Sequence, residues 1–316
     1  MKSRTDLLIR VSELYYEQDL SQHEIAKLLG ISRPTVSRLL DEAKETGIVE
    51  IKVNSPIRKD PALSLRLRDR LHLKDAIVVN GSYDYCKALR RCCEAALRFT
   101  NTILQNNMTV GICWGAATRF LCDLMEEHPY DQPYYNVNVV QMVGCLGSGN
   151  PNVDGLELAL RMSKSLGGTY SNIYAPAFMS NAQVQSYLVK EPQIEATLRK
   201  AEHLDIILTS VGSLDSGTSL HKAGFYTDET LADLVGRGAV GHLLARPFDA
   251  DGREVPAADL FPVGAQLSTL ANATWSVAVN ASEDKAEGLL AAVRSGYVNT
   301  IVVDQPLARK LLALAG

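Results

Sequence analysis

The side chains best suited to bind nucleic acid lie in one ten-residue stretch near the start of the chain, ISRPTVSRLL at residues 31–40. If this stretch is a helix, Val36, Leu39 and Leu40 fall on its apolar side. Its polar side then presents arginine, threonine and serine, which can donate hydrogen bonds to phosphates and to base edges. We therefore predict contacts with double-stranded DNA from eight residues in and around this stretch: Gln22, Ser32, Arg33, Pro34, Thr35, Ser37, Arg38 and Lys52.

Two helices joined by a short turn would hold these side chains in place. The sequence SQHE at residues 21–24 is a capping box, so a helix should begin beside Ser21. Gly30 can end that helix with a positive φ, and Ser32 can cap the next one with Pro34 in its first turn. These signals predict a helix-turn-helix. Any two short helices around a glycine could look similar, but the agreement between the caps and the exposed donors favours the DNA-binding interpretation.

The pattern of the chain changes after Gly47. Val49, Ile51 and Val53 alternate with polar residues, which predicts a strand beside the helices, as in a wing. The segment NSPIRKDP that follows is polar and has two prolines, which is typical of a linker. We predict a winged helix-turn-helix domain at residues 1–54, a linker at 55–61 and an effector-binding and oligomerisation domain at 62–316. The helical pattern at residues 62–73 could be a spacer, a dimer-forming helix or a packing helix.

Composition narrows the class of protein further. The chain has 316 residues, 46% hydrophobic and 22% charged, with a net charge of −4, so a DNA-binding surface would have to be a local basic patch. Its six cysteines include no C-x-x-C pair and have no histidine cluster nearby, so neither a metal nor another cofactor is expected. The sequence starts without a signal-peptide pattern and has no apolar run that suits a membrane span, which favours a cytoplasmic protein.

From residue 75 onward, apolar strand-like runs alternate with amphipathic helix-like segments. The six strand-like runs are AIVV (76–79), MTVGIC (108–113), VNVVQMV (137–143), DIILTSVG (205–212), TWSVAVN (274–280) and NTIVVD (299–304). Continuous apolar strands separated by helices predict an α/β fold, with a Rossmann-like parallel sheet covered on both faces. Ligands of such sheets bind at the carboxyl ends of the strands, where we expect the loops near Trp114, Gly144, Gly212 and Ser282.

A dinucleotide fingerprint is mimicked at residues 236–241, where GRGAVG fits G-x-G-x-x-G. A dinucleotide site needs a strand before the motif and a helix after it. Here a helix-like segment comes first and the strand-like HLLARPFD follows, so nucleotide binding is not expected.

Across nearly its whole length, the chain resembles the SorC family of bacterial, sugar-responsive transcriptional regulators. The specific signal is LYYEQDLSQHEIAKLLGISRPTVSRLLDEAKETGIVEIKV near the N-terminus. Weaker motifs follow in the family's order: VGICWGAATRFL, VVQMVGCLGSGN, DIILTSVGSLDSGTSL, GAVGHLLARPFDADG and EDKAEGLLAAVRSGYVNTIVVD. The resemblance implies a winged helix-turn-helix joined to a sugar-binding domain that is similar to sugar-phosphate isomerases. It also implies a homodimer or homotetramer whose affinity for a DNA operator is set by a small carbohydrate, usually a phosphorylated sugar.

The resemblance also implies where the carbohydrate effector would bind. Carried over onto this sequence, the effector-binding residues would be Gly115, Ala116, Ala117, Thr118, Val143, Gly144, Gly147, Ser148, Gly212, Ser213, His242 and Lys285. From the residues alone, His242 could equally be a histidine satisfied within the fold, and Lys285 a solvated cation at the start of a helix.

Four of these residues depart from the family's pattern. Ala116 and Ala117 stand where many members have hydroxyl residues that help to hold a phosphate. Val143 stands where members that respond to deoxyribose phosphate have a lysine that bonds covalently to the sugar. His242 stands where an aspartate is usual, and a neutral imidazole both donates and accepts hydrogen bonds. We expect non-covalent binding of an effector whose phosphate is held less firmly, placed differently or absent, such as a free polyol.

We therefore expect a DNA-binding transcriptional regulator of genes for carbohydrate or polyol catabolism, controlled by a small sugar, sugar alcohol or sugar phosphate, and not an enzyme. The alternative is a sugar-phosphate isomerase or deaminase with an added DNA-binding domain. Such an enzyme needs a positioned acid–base pair. Near the predicted ligand loops only Asp215 and His242 are candidates, and their spacing specifies no chemistry.

Overall fold

The computed structural model describes residues 4–49, 57–129, 134–147 and 154–316, and the chain forms two compact units, Met1–Pro56 and Ile57–Gly316. The first unit contains three α-helices among its described residues: α1 (Arg4–Ser12), α2 (Gln22–Leu29) and α3 (Arg33–Glu45). A π-helical turn, Glu13–Glu17, follows α1 directly. The core between the helices consists of apolar side chains at helical spacing, including buried Val11, Leu14, Ile25, Val36 and Leu39.

Local capping signals decide where α2 and α3 begin and end. Ser21 and Glu24 form the predicted capping box, in which the Ser21 N–H donates to Glu24 Oε2 over 2.9 Å. Gly30 ends α2 in the left-handed region with a φ of 65°, and Ser32 caps α3 by accepting from the Thr35 N–H. The predicted helix-turn-helix is confirmed.

The boundary between the units falls in the segment predicted as wing and linker. Apart from Val49, which follows α3 without forming a strand, the predicted wing with Lys52 lies outside the described residues. Residues 57–61, predicted as linker, belong to the second unit. The Asp60 N–H donates to the carbonyl of Val78 over 2.8 Å, and the Asp60 side chain caps the helix that begins at Pro61. The second unit therefore begins within the predicted linker, at Ile57.

The second unit alternates helices and strands, as predicted. Its strands are β1 (Asp75–Val79), β2 (Thr109–Ile112), β3 (Asn138–Gln141), β4 (Thr169–Ser171), β5 (Phe178–Met179), β6 (Ile206–Thr209), β7 (Ala239–Leu243), β8 (Arg246–Asp249), β9 (Phe261–Pro262), β10 (Trp275–Asn280) and β11 (Thr300–Asp304). Its α-helices are α4 (Pro61–Leu71), α5 (Tyr85–Ile103), α6 (Ala116–Glu127), α7 (Gly155–Leu166), α8 (Ala182–Leu188), α9 (Pro192–Ala201), α10 (Ser219–Lys222), α11 (Asp228–Gly236), α12 (Ser268–Asn272), α13 (Ala286–Arg294) and α14 (Gln305–Ala315). A 3-10 turn, Glu283–Lys285, leads into α13.

Seven of the described strands form one parallel sheet in the order β1-β11-β10-β6-β2-β3-β4. Six of them are the predicted strands, so the parallel α/β fold is confirmed. The seventh, β4, was not predicted because it has only three residues, TYS, and the first two are exposed. Strands β7 and β8 form a hairpin outside this sheet, so HLLARPFD is not one strand. It turns at Leu244 and Ala245, which both have a positive φ.

The order of the strands creates a crevice at one edge of the sheet. From β2 the chain moves through β3 to β4, whereas from β6 it moves the opposite way, through β10 to β11. Because β2 and β6 are neighbours, the loops after them leave the sheet in opposite directions. Ligands of open parallel sheets bind at such a switch point.

The helix α4 and the GRGAVG segment both lie within the fold of the second unit. Leu63 and Leu67 of α4 are buried in its core, as expected for a packing helix. The GRGAVG segment at residues 236–241 joins the end of α11 to β7. Its order is helix then strand, which is the reverse of what a dinucleotide site needs.

Among the described residues, no helix combines the length and apolar character needed to cross a membrane. The same ranges contain no group of His, Cys, Asp and Glu side chains arranged to hold a metal ion.

Candidate functional site

The predicted DNA-contacting side chains of α3 lie on the outer side of the first unit. Arg33, Pro34 and Arg38 are exposed, and Thr35 and Ser37 are half-buried. The opposite side of the helix carries the buried core residues of the helix-turn-helix. This arrangement leaves two guanidinium groups and two hydroxyl-bearing side chains on one surface, the side-chain types that contact phosphates and base edges.

Two further predicted residues have local structural roles. Ser32 Oγ accepts from the Thr35 N–H and lies 2.7 Å from Thr35 Oγ1, so its hydroxyl is engaged in the cap of α3. Gln22 is half-buried at the first position of α2. Both residues lie at a helix N-terminus, where the backbone N–H groups favour a nearby anion.

The two arginines of α3 differ from other cations of the first unit in their ion pairing. Within the described residues, neither Arg33 nor Arg38 forms a salt bridge, whereas three other cations of the unit do: Arg4–Glu42, Arg10–Glu13 and Lys44–Asp41. Two guanidinium groups without a salt bridge therefore lie in the first half of α3. Such a local patch can attract DNA although the whole chain is acidic.

A cavity of about 580 Å³ opens in the second unit where the sequence predicts ligand loops, at the carboxyl ends of β2 and β6. Its wall is made by these residues: Tyr85, Leu89, Cys113, Trp114, Gly115, Ala116, Ala117, Thr118, Arg119, Leu146, Thr209, Ser210, Val211, Gly212, Ser213, Gly217, Thr218, Ser219, Lys222, Ala223, His242, Leu244, Ala245 and Lys285. The volume is within the range of small-molecule sites.

The cavity brings together eight of the predicted effector-binding residues: Gly115, Ala116, Ala117, Thr118, Gly212, Ser213, His242 and Lys285. Val143 and Gly144 lie outside its wall, and Val143 is fully buried in the core. Gly147 lines a separate, more open groove, where its N–H donates to Asp154 Oδ2 over 2.9 Å. Ser148 lies outside the described residues.

Trp114 connects the loop that contains Val143 and Gly144 to the cavity. Its indole Nε1 donates to the carbonyl of Gly144 over 3.0 Å, and its ring is itself part of the cavity wall. The strand-end rule places both loops at the same edge of the sheet, but it does not say which of them faces the ligand. Gly144 is therefore placed to support the wall through Trp114, whereas Val143 is part of the core.

His242 is held in the cavity wall by Gly212 and Thr218. Backbone hydrogen bonds of 3.0 Å run in both directions between His242 and Gly212. The imidazole lies so close to Gly212 that a Cβ atom there would collide with the ring. Its Nε2 is 2.9 Å from Thr218 Oγ1. Burial, reinforced by the Lys285 cation, lowers the pKa of His242 to about 4, so the ring is neutral at physiological pH.

Lys285 reaches the same part of the cavity from the 3-10 turn before α13. Its Nζ donates to Ser213 Oγ over 2.6 Å and pairs with Asp284 at 2.9 Å. The turn is positioned by Ser282, a non-glycine residue with a φ of 80°, whose N–H points to the carboxylate of Asp304. The lysine is thus a positioned donor and not a freely solvated cation.

The first turn of α6 forms another part of the wall. Gly115 precedes it with a φ of 137°, in a region that favours glycine, and provides no capping side chain. The N–H groups at the start of the helix have no partner within the helix, so they are available to an anion in the cavity. Ala116 and Ala117 add no hydroxyls, and Thr118 supplies one.

The ionisable side chains of the wall are predominantly basic. Arg119, Lys222 and Lys285 are cationic, and no carboxylate lines the cavity in the described part of the chain. The proposed acid of the enzyme alternative, Asp215, accepts from the Gly217 N–H over 2.7 Å and has no hydrogen bond to His242 among the described residues. The described wall therefore favours binding of an anion and contains no hydrogen-bonded acid–base pair for isomerase chemistry.

Sequence reasoning missed several residues of this wall. Thr218 directly precedes α10 and Lys222 ends it, and this single turn of four residues is not revealed by the amphipathic pattern. Arg119 lies inside the motif VGICWGAATRFL, one residue after the predicted loop. Tyr85 begins α5 directly after Asp84, whose side chain caps the helix.

Family models match both units of the chain. The model described as "Putative sugar-binding domain" matches residues 55–313, and a MarR family model matches residues 11–56. The first match covers most of the chain.

Similar proteins match over almost their full lengths. The chain is 28% identical over 313 residues to the deoxyribonucleoside regulator of Bacillus subtilis, covering 98% of each chain. It is 26% identical over 318 residues to the sorbitol operon regulator of Klebsiella pneumoniae, covering 97% of each. The crystal structure of the full-length sorbitol operon regulator SorC from K. pneumoniae superimposes with a TM-score of 0.72 and 26% identity, covering 97% of this chain and 98% of that one.

Proposed function

Because the chain belongs to the SorC family of transcriptional regulators, we propose that it binds a DNA operator through α3 and that a sugar phosphate in the cavity of the second unit sets its affinity for that operator. One observation carries the proposal. A single chain combines a helix-turn-helix that bears unpaired arginines with a separate, cation-lined cavity at the switch point of a parallel sheet. The target genes would be those of carbohydrate or polyol catabolism, as the names of its relatives suggest.

The proposed effector is anionic and is bound without a covalent bond. Three cationic side chains and no described carboxylate line the cavity, which favours a sugar phosphate over a free polyol. Ala116 and Ala117 provide no hydroxyl groups for a phosphate, but the cations remain. The first turn of α6, with Thr118 and Arg119, is the proposed phosphate position. Val143 has no nitrogen with which to attack a sugar aldehyde, so reversible binding is expected.

The proposed active form is a homo-oligomer, either a dimer or a homotetramer. One helix-turn-helix reads only a few base pairs, and a dimer can contact two half-sites one helical turn or whole multiples of a turn apart. The effector would then shift the balance between arrangements that differ in their fit to the operator.

DNA binding is tested by gel-shift titration with promoter fragments from the neighbourhood of its own gene. We expect Arg38→Ala to weaken specific binding by about 1–3 kcal/mol, because an exposed and unpaired guanidinium is lost. Lys44→Ala is the matched control, since it removes a cation of the same helix that is paired with Asp41. Equal affinities of the wild type and Arg38→Ala for a specific fragment would contradict the proposed role of α3.

Effector binding is tested by the fluorescence of Trp114, which lies in the cavity wall. The chain has two tryptophans, so Trp275→Phe leaves Trp114 as its only tryptophan, and excitation at a wavelength that tyrosine does not absorb isolates its emission. We expect sugar phosphates to change this fluorescence with saturation and to change the affinity for DNA over the same concentration range. A protein that binds DNA but responds to no sugar phosphate in either assay would refute the effector half of the proposal.

A further inference from the structure

Four side chains meet in one corner of the cavity, and we call Ser213, Thr218, His242 and Lys285 the donor corner. They come from four separate segments of the chain: the loop after β6, the residue before α10, β7 and the 3-10 turn before α13. Ser213, Thr218 and His242 are each less than a tenth exposed. Two hydrogen bonds join the corner in pairs, Lys285 Nζ to Ser213 Oγ at 2.6 Å and His242 Nε2 to Thr218 Oγ1 at 2.9 Å.

The donor corner has more hydrogen-bond donors than its own acceptors use. The Lys285 ammonium has three N–H groups, of which one is given to Ser213 and one to Asp284, so one remains. Ser213 Oγ accepts from Lys285 and keeps its own O–H as a donor. When the Thr218 hydroxyl donates to His242 Nε2, the single proton of the neutral imidazole lies on Nδ1, which has no partner within the described ranges. A ligand group that only accepts hydrogen bonds therefore fits this corner better than a group that must also donate.

The charge of the donor corner points in the same direction. The nearest acids are Asp284, which pairs with Lys285, and Asp215, which accepts from the Gly217 N–H, and neither lines the cavity. His242 adds no negative charge, so an anion can lie against it without repulsion. One lysine, already shared with Asp284, balances a single negative charge better than the two of a phosphate, because burying uncompensated charge is costly.

We propose that the donor corner receives a carboxylate, so that the effector is a phosphorylated sugar acid. The inference rests on the proposed function, which assigns the phosphate to the first turn of α6. It adds a second anionic group on a different wall of the same cavity and gives His242 the role of a specificity-determining residue. A carboxylate is monoanionic at neutral pH and accepts through both oxygens, as the corner requires.

The inference is tested with two ligands that differ only at the end of the carbon chain opposite the phosphate. 6-Phosphogluconate and glucitol 6-phosphate share an open six-carbon chain and a phosphate, and they differ by a carboxylate or a hydroxymethyl group at C1. Calorimetry with the full chain at pH 7.5 should give an affinity at least about 10-fold higher for 6-phosphogluconate, because charge-assisted hydrogen bonds are stronger than neutral ones. The five-carbon pair, 5-phosphoribonate and ribitol 5-phosphate, covers a shorter effector.

Two substitutions of equal shape isolate the charge at His242. His242→Asn keeps an uncharged donor and acceptor, and His242→Asp puts a carboxylate in the same place. The Asn variant should still prefer the acid of each pair. The Asp variant should lose about 100-fold in affinity for the acid and less than about 10-fold for the alcohol, since like charges repel strongly in a partly dehydrated cavity. Circular dichroism and thermal melting establish that both variants are folded.

The outcomes separate this inference from the function on which it rests. If alcohols bind as tightly as acids in both pairs, or if His242→Asp weakens both ligands of a pair equally, the donor corner does not hold a carboxylate and the sugar-phosphate function still stands. If other sugar phosphates bind while both acids fail, the inference is equally overturned. If no sugar phosphate binds at all, the proposed effector class itself is wrong.

Discussion

Gly212 is the position at which a single methyl group should disturb the cavity most. It lies against the imidazole of His242, and a Cβ atom built on it would overlap ring atoms Nε2 and Cε1. The ring cannot simply withdraw, because the backbones of the two residues are joined by two hydrogen bonds of 3.0 Å. Gly212→Ala must therefore rotate the ring away and break its contact with Thr218 Oγ1, which is 2.9 Å from Nε2.

The expected cost of Gly212→Ala is about 1–3 kcal/mol in the free energy of unfolding, the range for overpacking a buried site. The cause can be isolated by adding His242→Ala, which removes the ring that the new methyl group meets. The double variant should be less destabilised than the sum of the two single variants, by about 1–2 kcal/mol, because the collision exists only when both side chains are present.

Urea unfolding followed by tryptophan fluorescence measures the free energy of unfolding of the second unit, because Trp114 and Trp275 both lie in it. The slopes of the unfolding curves must agree among the variants for the energies to be compared. If the effects of the two substitutions add to within about 0.5 kcal/mol, the close packing of His242 on Gly212 is refuted. An unchanged stability of Gly212→Ala alone would have the same meaning.

Two further predictions concern single residues of the cavity wall. Burial and Lys285 lower the pKa of His242 from 6.5 to about 4, so between these pH values the unfolded chain takes up a proton and the folded chain does not. This residue should therefore make the protein about 2 kcal/mol less stable at pH 5 than at pH 7.5. His242→Asn should remove that part of the pH dependence of stability, as measured by urea unfolding. Gly115→Ala should lower the free energy of unfolding by about 1–3 kcal/mol through backbone strain alone, since φ is 137° and the added Cβ would contact nothing. Gly236→Ala is the control: its added Cβ also lies in open space but φ is not positive, so the free energy of unfolding should change little in the same assay.

Local signals in the sequence were sufficient for most of the fold. The capping box at Ser21 and the glycine at position 30 fix the helix-turn-helix because caps act within a few residues. The six longer strands of the sheet are mainly apolar and buried, so a run of apolar residues in the sequence reveals them. The turn at Leu244 and Ala245 was not predictable in this way, because two-residue hairpin turns with positive φ normally carry asparagine or glycine.

The cavity was predictable only in part, because its residues come from distant segments. The strand-end rule identified the loops at Gly115 and Gly212, which the sheet brings together through the pairing of β2 with β6. It could not exclude Val143, which follows β3 in the neighbouring loop but is buried in the core. It also could not find Thr218, whose position depends on contacts that no local pattern encodes.

The hydrogen bonds around the loop after β6 explain why this side of the cavity is suited to recognition. Asn280, at the end of β10, is buried and bonds to both backbone groups of Val211, at 3.1 Å to its N–H and 2.9 Å to its carbonyl. The next residue, Gly212, is joined to β7 through His242. The loop is thus fixed on both sides before any ligand arrives, so an effector does not have to order it on binding. Such a preformed wall can distinguish ligands by the charge of one group, because the wall cannot move away from an unfavourable contact.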